Sequence, residues 1–460
     1  MTLPLNGRIA IIDDQIKQAE PIMKVLSSKQ LPYTYFSGEV DYLPKEGENY
    51  NDIRILFLDI NLIDDQERNK TELRGKLIPV LQRVISKENY PYIIVYWSRH
   101  EFHKDLIEDD IFKNYLNDRE PIAFLSAMKS DYFDLNGTKT DDFEEKIKSL
   151  FDKIQSLLDT NPSYSYLLNW ENLVHISADN TLQEVFCAHH KFDDWTDNAN
   201  HLINKLAQSY SGKAFYKDSA PNRIKSAFNS LTYLVNDTLE KNVNSKPIAN
   251  AKILTTSGSN NGFEPYHSIN MRLLFSTDND LSEYPGAVIE DINPKSEKVF
   301  KELLNNLFNR SKIQDDLSDE ERKEDDPKKL QKIVDKKCSD VRKLIRDTWK
   351  KIYLTTTPLC DYAQNKNEYN RCVKGIIVES EFIKYIDNRS EAIFLTPQFL
   401  FEEKSYVLIV HFRYFFTTNK GIKLLSQKPL FRARQQLLAE IQSKLSRHIS
   451  RQGILFLDDK

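Results

Sequence analysis

The stretch IRILFLDINL, residues 53–62, constrains this chain more than any other. Apolar and β-prone positions lead straight into Asp59, which Ile60 and Asn61 follow. A short apolar run that ends on a carboxylate predicts a buried strand. Such strands belong to parallel sheets, and in open α/β folds ligands bind at the C-terminal edge of the sheet. Asp59 is therefore the candidate reactive carboxylate. The question is which other groups reach the same edge.

The flanking segments repeat one theme. RIAIIDD (8–14) is an apolar run closed by Asp13 and Asp14 and reads as a first strand. Ile16, Ala19, Met23 and Leu26 then recur at helical spacing. YTYFSG (33–38) is a second strand closed by Gly38, and 53–62 holds the third. Leu73, Leu77, Val80, Leu81 and Val84 mark a helix that Pro79 could kink. YIIVYWS (92–98) is a fourth strand ending on Ser98, followed by a charged stretch with Phe102, Leu106, Ile111 and Tyr115 as apolar positions. PIAFLSAMK (121–129) is a fifth strand ending on Lys129, and Phe143, Ile147, Phe151, Ile154 and Leu158 define a last helix. Five β–α repeats predict an α/β domain over 1–158, with helices on both faces of a parallel sheet.

The strand ends carry the chemistry. Asp13, Asp14, Asp59, Ser98 and Lys129 are expected on one rim. Clustered carboxylates repel unless a cation neutralises them, and hard oxygen ligands select Mg²⁺. The metal would draw a phosphoryl group toward Asp59, with Ser98 and Lys129 binding its other oxygens by hydroxyl donation and by charge. The reaction class is nucleophilic carboxylate chemistry giving an aspartyl phosphate.

With these residues in place, 8–158 resembles the receiver domain of two-component response regulators, a flavodoxin-like five-stranded fold. The acidic pair Asp13–Asp14, the phosphoacceptor Asp59, the hydroxyl of Ser98 and the amine of Lys129 match the family's positions. The resemblance implies that Asn61 supplies a backbone carbonyl to Mg²⁺ beside Asp13, Asp14 and Asp59. Two positions depart from the family. Ser130 stands where a proline usually follows the lysine, and Ser126 where receivers often carry a switch aromatic. The usual aromatic route of signal transmission therefore does not carry over.

Beyond NPSYSY (161–166), read as a break, residues 159–350 have a mainly helical texture. Leu182, Val185, Phe186, Leu202, Ile203 and Leu206 read as core positions over 180–210, and Ile224, Phe228, Leu231 and Leu234 or Val235 mark a helix over 221–241. Adjacent His189 and His190 would splay by roughly 100° on a helix, which disfavours chelation of one ion. His267 and Asn270 read as a local cap or buried hydrogen bond. A charged linker at 313–329 leads into a basic helix with Ile333, Val334, Val341, Leu344 and Ile345 as its apolar stripe. Residues 351–460 read as a small α+β domain, with strands at 375–380, 391–397 and 405–416 and a closing helix over 429–450. TPLCDYAQ within it resembles a TP-x-CD-x-AQ pattern of bacterial conflict and defence proteins. Cys360 and Asp361 are its candidate site residues, with His267, His411 and His448 as available bases; a buried cysteine beside a structural aspartate is the preferred reading.

The formal net charge of −4 favours neither nucleic acid nor an anionic membrane, and no helix-turn-helix is legible. Four cysteines without paired spacing suggest no disulfide framework, which fits a cytoplasmic protein, and no run approaches about 18 apolar residues. The expected partners are a sensor histidine kinase and another receiver or effector protein of the same system; a homodimer stays open. Taken whole, the chain resembles the effector-less receiver of Detocs-type anti-phage phosphorelays, whose implied role is to buffer phosphoryl groups. A receiver-controlled hydrolase or nuclease, and a phosphorylation-independent scaffold, are the alternatives.

Overall fold

Short apolar strands set the architecture of the N-terminal unit, residues 1–203 with 228–257. β1 (Ile9–Ile12), β2 (Tyr33–Phe36), β3 (Ile55–Leu58), β4 (Ile93–Ser98) and β5 (Ala123–Met128) form a parallel sheet in the order β2-β1-β3-β4-β5. This order is compatible with a flavodoxin-like doubly wound fold, and its switch point lies between β1 and β3. The computed structural model describes residues 8–45, 47, 50, 52–60, 62, 69–99, 104–134, 138–187, 195–216, 218–246, 265–277, 284–322, 326–363, 366, 368–387, 389–419 and 427–450. Three long helices, α1 (Ile16–Ser28), α2 (Lys70–Val84) and α3 (Phe143–Thr160), cover the sheet together with a π-helix over Leu106–Tyr115. Pro79 lies inside α2 without ending it.

The alternation of strand side chains decides which helix packs where. Odd-numbered Ile9, Ile11, Ile55, Phe57, Ile93, Val95 and Trp97 enter one core with α1 and α3. Even-numbered Ala10, Ile12, Leu56, Leu58, Ile94 and Tyr96 enter the other, with α2 and the π-helix.

Asn161 separates α3 from α4 (Pro162–Cys187), yet Tyr164 and Leu168 still pack into the α1–α3 core. The Tyr164 hydroxyl donates to the Arg54 carbonyl at 3.0 Å. Further along α4, Glu171 accepts from Arg54 Nε at 3.1 Å and Nη2 at 3.0 Å, and also pairs with Arg8. Arg8 and Arg54 immediately precede β1 and β3, so α4 is held at the N-terminal edge of the sheet. α5 (Trp195–Ser211) and α6 (Ala220–Ser245) follow. The α4–α6 contact is polar: Thr181 Oγ1 lies 3.1 Å from Thr238 Oγ1, and Asn242 Nδ2 donates to Ser177 Oγ at 2.8 Å. Leu182, Phe186 and Ile203, expected in a core, are exposed instead, as are Ile224, Phe228 and Leu234 on the helix that their spacing marks. Their helical spacing marks a face, and spacing alone does not say whether anything covers it. His189 and His190 lie outside the described residues.

The second unit, residues 204–227 with 258–460, is built on an antiparallel, curled sheet. α7 (Pro265–Leu274) leads into β6 (Phe275–Ser276) and β7 (Ala287–Glu290), which share that sheet with β8 (Lys350–Thr355), β9 (Tyr369–Glu379), β10 (Ile393–Leu395), β11 (Phe399–Phe401), β12 (Lys404–Asn419) and β13 (Phe431–Ala433). The sheet thus recruits strands from well before residue 351. Between β7 and β8 run α8 (Glu297–Leu307), α9 (Ser311–Asp315), α10 (Asp319–Arg322) and α11 (Pro327–Thr348). The 313–329 stretch, expected to be a linker, is therefore partly helical. A capping box explains part of it: Glu321 N–H bonds Ser318 Oγ at 3.2 Å, and Ser318 N–H bonds Glu321 Oε2 at 2.8 Å. Short α12 (Leu359–Ala363) follows β8. The closing helix α13 (Gln435–Ile449) starts later than its apolar spacing suggests, because Phe431–Ala433 pair as β13 with β6 and β7. Among the described residues no helix is long and apolar enough to cross a membrane.

β9 and β12 pair along most of their length, with a register shift between Val410 and Phe415. At the edge of that shift, Gly375 lets a neighbouring strand approach closely, for a Cβ there would stand 2.3 Å from the Ile409 carbonyl oxygen. Gly375→Ala is expected to destabilise this unit by about 1–3 kcal/mol, as overpacking does. Thermal melting followed by far-UV circular dichroism checks it; an unchanged midpoint would show that the strands yield without cost.

Candidate functional site

Parallel register brings the strand ends together. Ile12 pairs with Leu58, Leu58 with Tyr96, and Ser98 with Met128, so Asp13, Asp59, Ser98 and Lys129 stand on one rim. Asp13, Asp59 and Lys129 continue the odd-numbered side of their strands, toward α1, and Ser98 continues the even-numbered side. The Asp13 and Asp59 carboxylates consequently meet at the β1/β3 switch point, and the Lys129 amine reaches both. Its Nζ lies 2.6 Å from Asp13 Oδ2 and 2.5 Å from Asp59 Oδ2. All three residues are buried, Lys129 to 1% exposure.

Neighbouring groups fix this arrangement. The Gln15 amide donates to Asp13 Oδ1 at 3.0 Å, and Tyr35 Oη donates to the Asp13 carbonyl at 2.7 Å. From α1, Gln18 Oε1 accepts from Lys129 Nζ at 3.1 Å. Gln18 and Tyr35 were not among the residues expected at the site. Burial pushes the Asp13 carboxyl up to about 7; Lys129 pulls against this, and the Asp59 charge adds to it. Burial opposes the Lys129 charge, but the flanking carboxylates outweigh it and hold the amine above its ordinary value.

One carboxylate oxygen from each of Asp13, Asp14 and Asp59 lies within 4.8 Å of the others. Three carboxylates against one ammonium leave two negative charges, which a divalent cation would cancel. Hard, closely spaced oxygens suit Mg²⁺, so this acidic cluster could bind a metal of that kind. Asn61, expected to add a carbonyl ligand, lies outside the described residues.

The Ser98 hydroxyl is buried, and among the described residues it has no hydrogen-bond partner. Leaving such a group unsatisfied costs about 1–3 kcal/mol, which points to a ligand beside it. Ser98 also lines a small enclosed space with Ile60, Tyr96, Lys104, Ser126 and Met128. Ser126, at the position lacking an aromatic, stands opposite Tyr96 in the β4–β5 register.

Among the described residues the second unit brings no comparable set together. Cys360, expected to be buried, is exposed on α12, with Sγ 3.6 Å from Asp361 Oδ1. The three threonines before it take the buried positions instead: Thr355 Oγ1 donates to the Tyr284 carbonyl at 2.7 Å, and Thr357 Oγ1 accepts from Arg371 N–H at 3.0 Å. Among the described residues none of the histidines considered as bases hydrogen-bonds Cys360. His267 Nδ1 bonds Ser405 Oγ at 2.6 Å and Asn270 donates to the Gln398 carbonyl at 2.8 Å; in place of the local cap or buried bond expected, these part-buried bonds tie α7 to residues far along the chain. His411 is buried, which lowers its pKa to about 4, and it packs edge-on to Tyr414; His448 packs against Phe412.

Because a proton on Asp13 competes with a cation, Mg²⁺ affinity is expected to rise about tenfold from about pH 6 to about pH 8. Asp13→Asn should weaken binding and flatten that dependence. Isothermal titration calorimetry across this range checks both, and a pH-independent wild-type affinity would contradict the assignment. No family model, curated protein or solved structure matches the chain.

Proposed function

We propose that the N-terminal unit is a receiver-type phosphoacceptor, in which Asp59 takes a phosphoryl group from a phosphohistidine of a sensor kinase. The observation that carries this reading is the buried Lys129 amine shared by Asp13 and Asp59 at the switch point of a 2-1-3-4-5 sheet. The unpartnered hydroxyl of Ser98 on the same rim supports it.

In the transfer, an Asp59 carboxylate oxygen forms a bond to phosphorus. The phosphorus–nitrogen bond of the donor breaks, and its electron pair leaves with the imidazole. A divalent cation held by Asp13, Asp14 and Asp59, with the Asn61 carbonyl as a further ligand, would neutralise charge on the phosphoryl oxygens. Lys129 supplies a fixed positive charge beside the acceptor, and the Ser98 hydroxyl donates to a second oxygen. Hydrolysis reverses the state: water attacks phosphorus, the aspartyl oxygen–phosphorus bond breaks and inorganic phosphate leaves.

The biological setting that agrees best with the sequence is a bacterial phosphorelay, including those of anti-phage defence. There the chain would act as a receiver that stores phosphoryl groups or passes its state to a partner through the remaining residues.

Incubation with Mg²⁺ and acetyl phosphate should add about 80 Da, the mass of one phosphoryl group, in intact-mass spectrometry. Asp59→Ala should abolish the gain, and Lys129→Ala should reduce it by about tenfold or more. A wild type that stays unmodified even with a phosphorylated kinase domain would favour the scaffold reading.

A further inference from the structure

We infer that Arg99 is a further phosphoryl-binding residue of the Asp59 site; this rests on the phosphoacceptor reading above. Arg99 follows Ser98 directly, where β4 leaves the sheet. Its Nε donates to Gln18 Oε1 at 3.4 Å, and the same oxygen accepts from Lys129 Nζ at 3.1 Å. Its Nη2 donates to the Asp134 carbonyl at 3.2 Å, beyond the end of β5. The guanidinium therefore runs from α1 to the turn after Lys129 and shares a single amide oxygen with the amine of the acceptor site.

Charge decides what this second cation is for. Before phosphorylation, three carboxylates and Lys129 leave two negative charges, which a divalent cation balances. Phosphorylation replaces the single charge of Asp59 with the two of a phosphoryl group, so the site gains one negative charge. Lys129 is already committed to Asp13 and Asp59. Arg99, half-buried and without an ion pair among the described residues, is the neighbouring cation left to offset it. Both of its present acceptors are neutral oxygens. Exchanging them for phosphoryl oxygens gives charge-assisted bonds about twice as strong, and the planar fork suits two of them.

The test uses beryllofluoride as a phosphoryl mimic on the full chain with Mg²⁺, set beside Mg²⁺ alone. Arg99→Ala should weaken beryllofluoride binding by about tenfold while Mg²⁺ affinity without it does not fall, because the removed cation repels the metal. Arg99→Lys should recover part of the loss, and thermal melting verifies that both variants fold. Equal loss of both affinities would indicate a merely structural residue and overturn the inference, as would unchanged beryllofluoride binding. Failure of the wild type to bind beryllofluoride or gain a phosphoryl group would overturn the phosphoacceptor reading and this inference together; a responsive wild type with an indifferent Arg99→Ala would overturn this inference alone.

Discussion

A buried ammonium held between two buried carboxylates is the constraint that organises the N-terminal unit. Lys129, Asp13 and Asp59 are nearly inaccessible, and stripping one partner from such a group typically costs about 3–5 kcal/mol. Each charge therefore demands the others, and meeting that demand fixes how β1, β3 and β5 align. β5 lies two strands from β3, about 10 Å away, so the lysine must cross the end of β4 to reach its partners. Ser98, the last residue of β4, is small enough to leave that path open. Apolar strands hold the sheet together; the ion cluster decides where they stop.

Much of this was legible before any coordinates. Asp13, Asp59 and Lys129 each end an apolar run, and a period of two leaves little choice about the face they join. Gln18 and Arg99 were invisible in the same reading. Gln18 depends on how far α1 rotates as Ala19, Ile22 and Leu26 seat against the sheet, and Arg99 depends on where the chain turns after β4. Packing sets both, and local sequence does not.

The second unit shows the same division. Its long strands announce themselves by alternation, with Val407 and Ile409 in one core and Leu408 and Val410 in the other. β6 and β7, of two and four residues, are too short to carry a period. Phe431–Ala433 reads as the first turn of a helix because Leu430, Ala433 and Leu437 share helical spacing, yet pairing with β6 and β7 overrides it. Cys360 misleads for a related reason. A run of threonines looks polar, but each hydroxyl can bond a nearby backbone group, so these residues go inside and the cysteine stays out.

The paired grip of Arg8 and Arg54 on Glu171 has a mechanical corollary. The two guanidiniums sit at one end of β1 and β3, and Asp13 and Asp59 sit at the other end of the same strands. Four residues of strand span only about 13 Å and hardly stretch. β1 and β3 are paired in register over all four residues, so the one carboxylate of Glu171 ties α4 to two strands that the same ladder already joins to the acidic end.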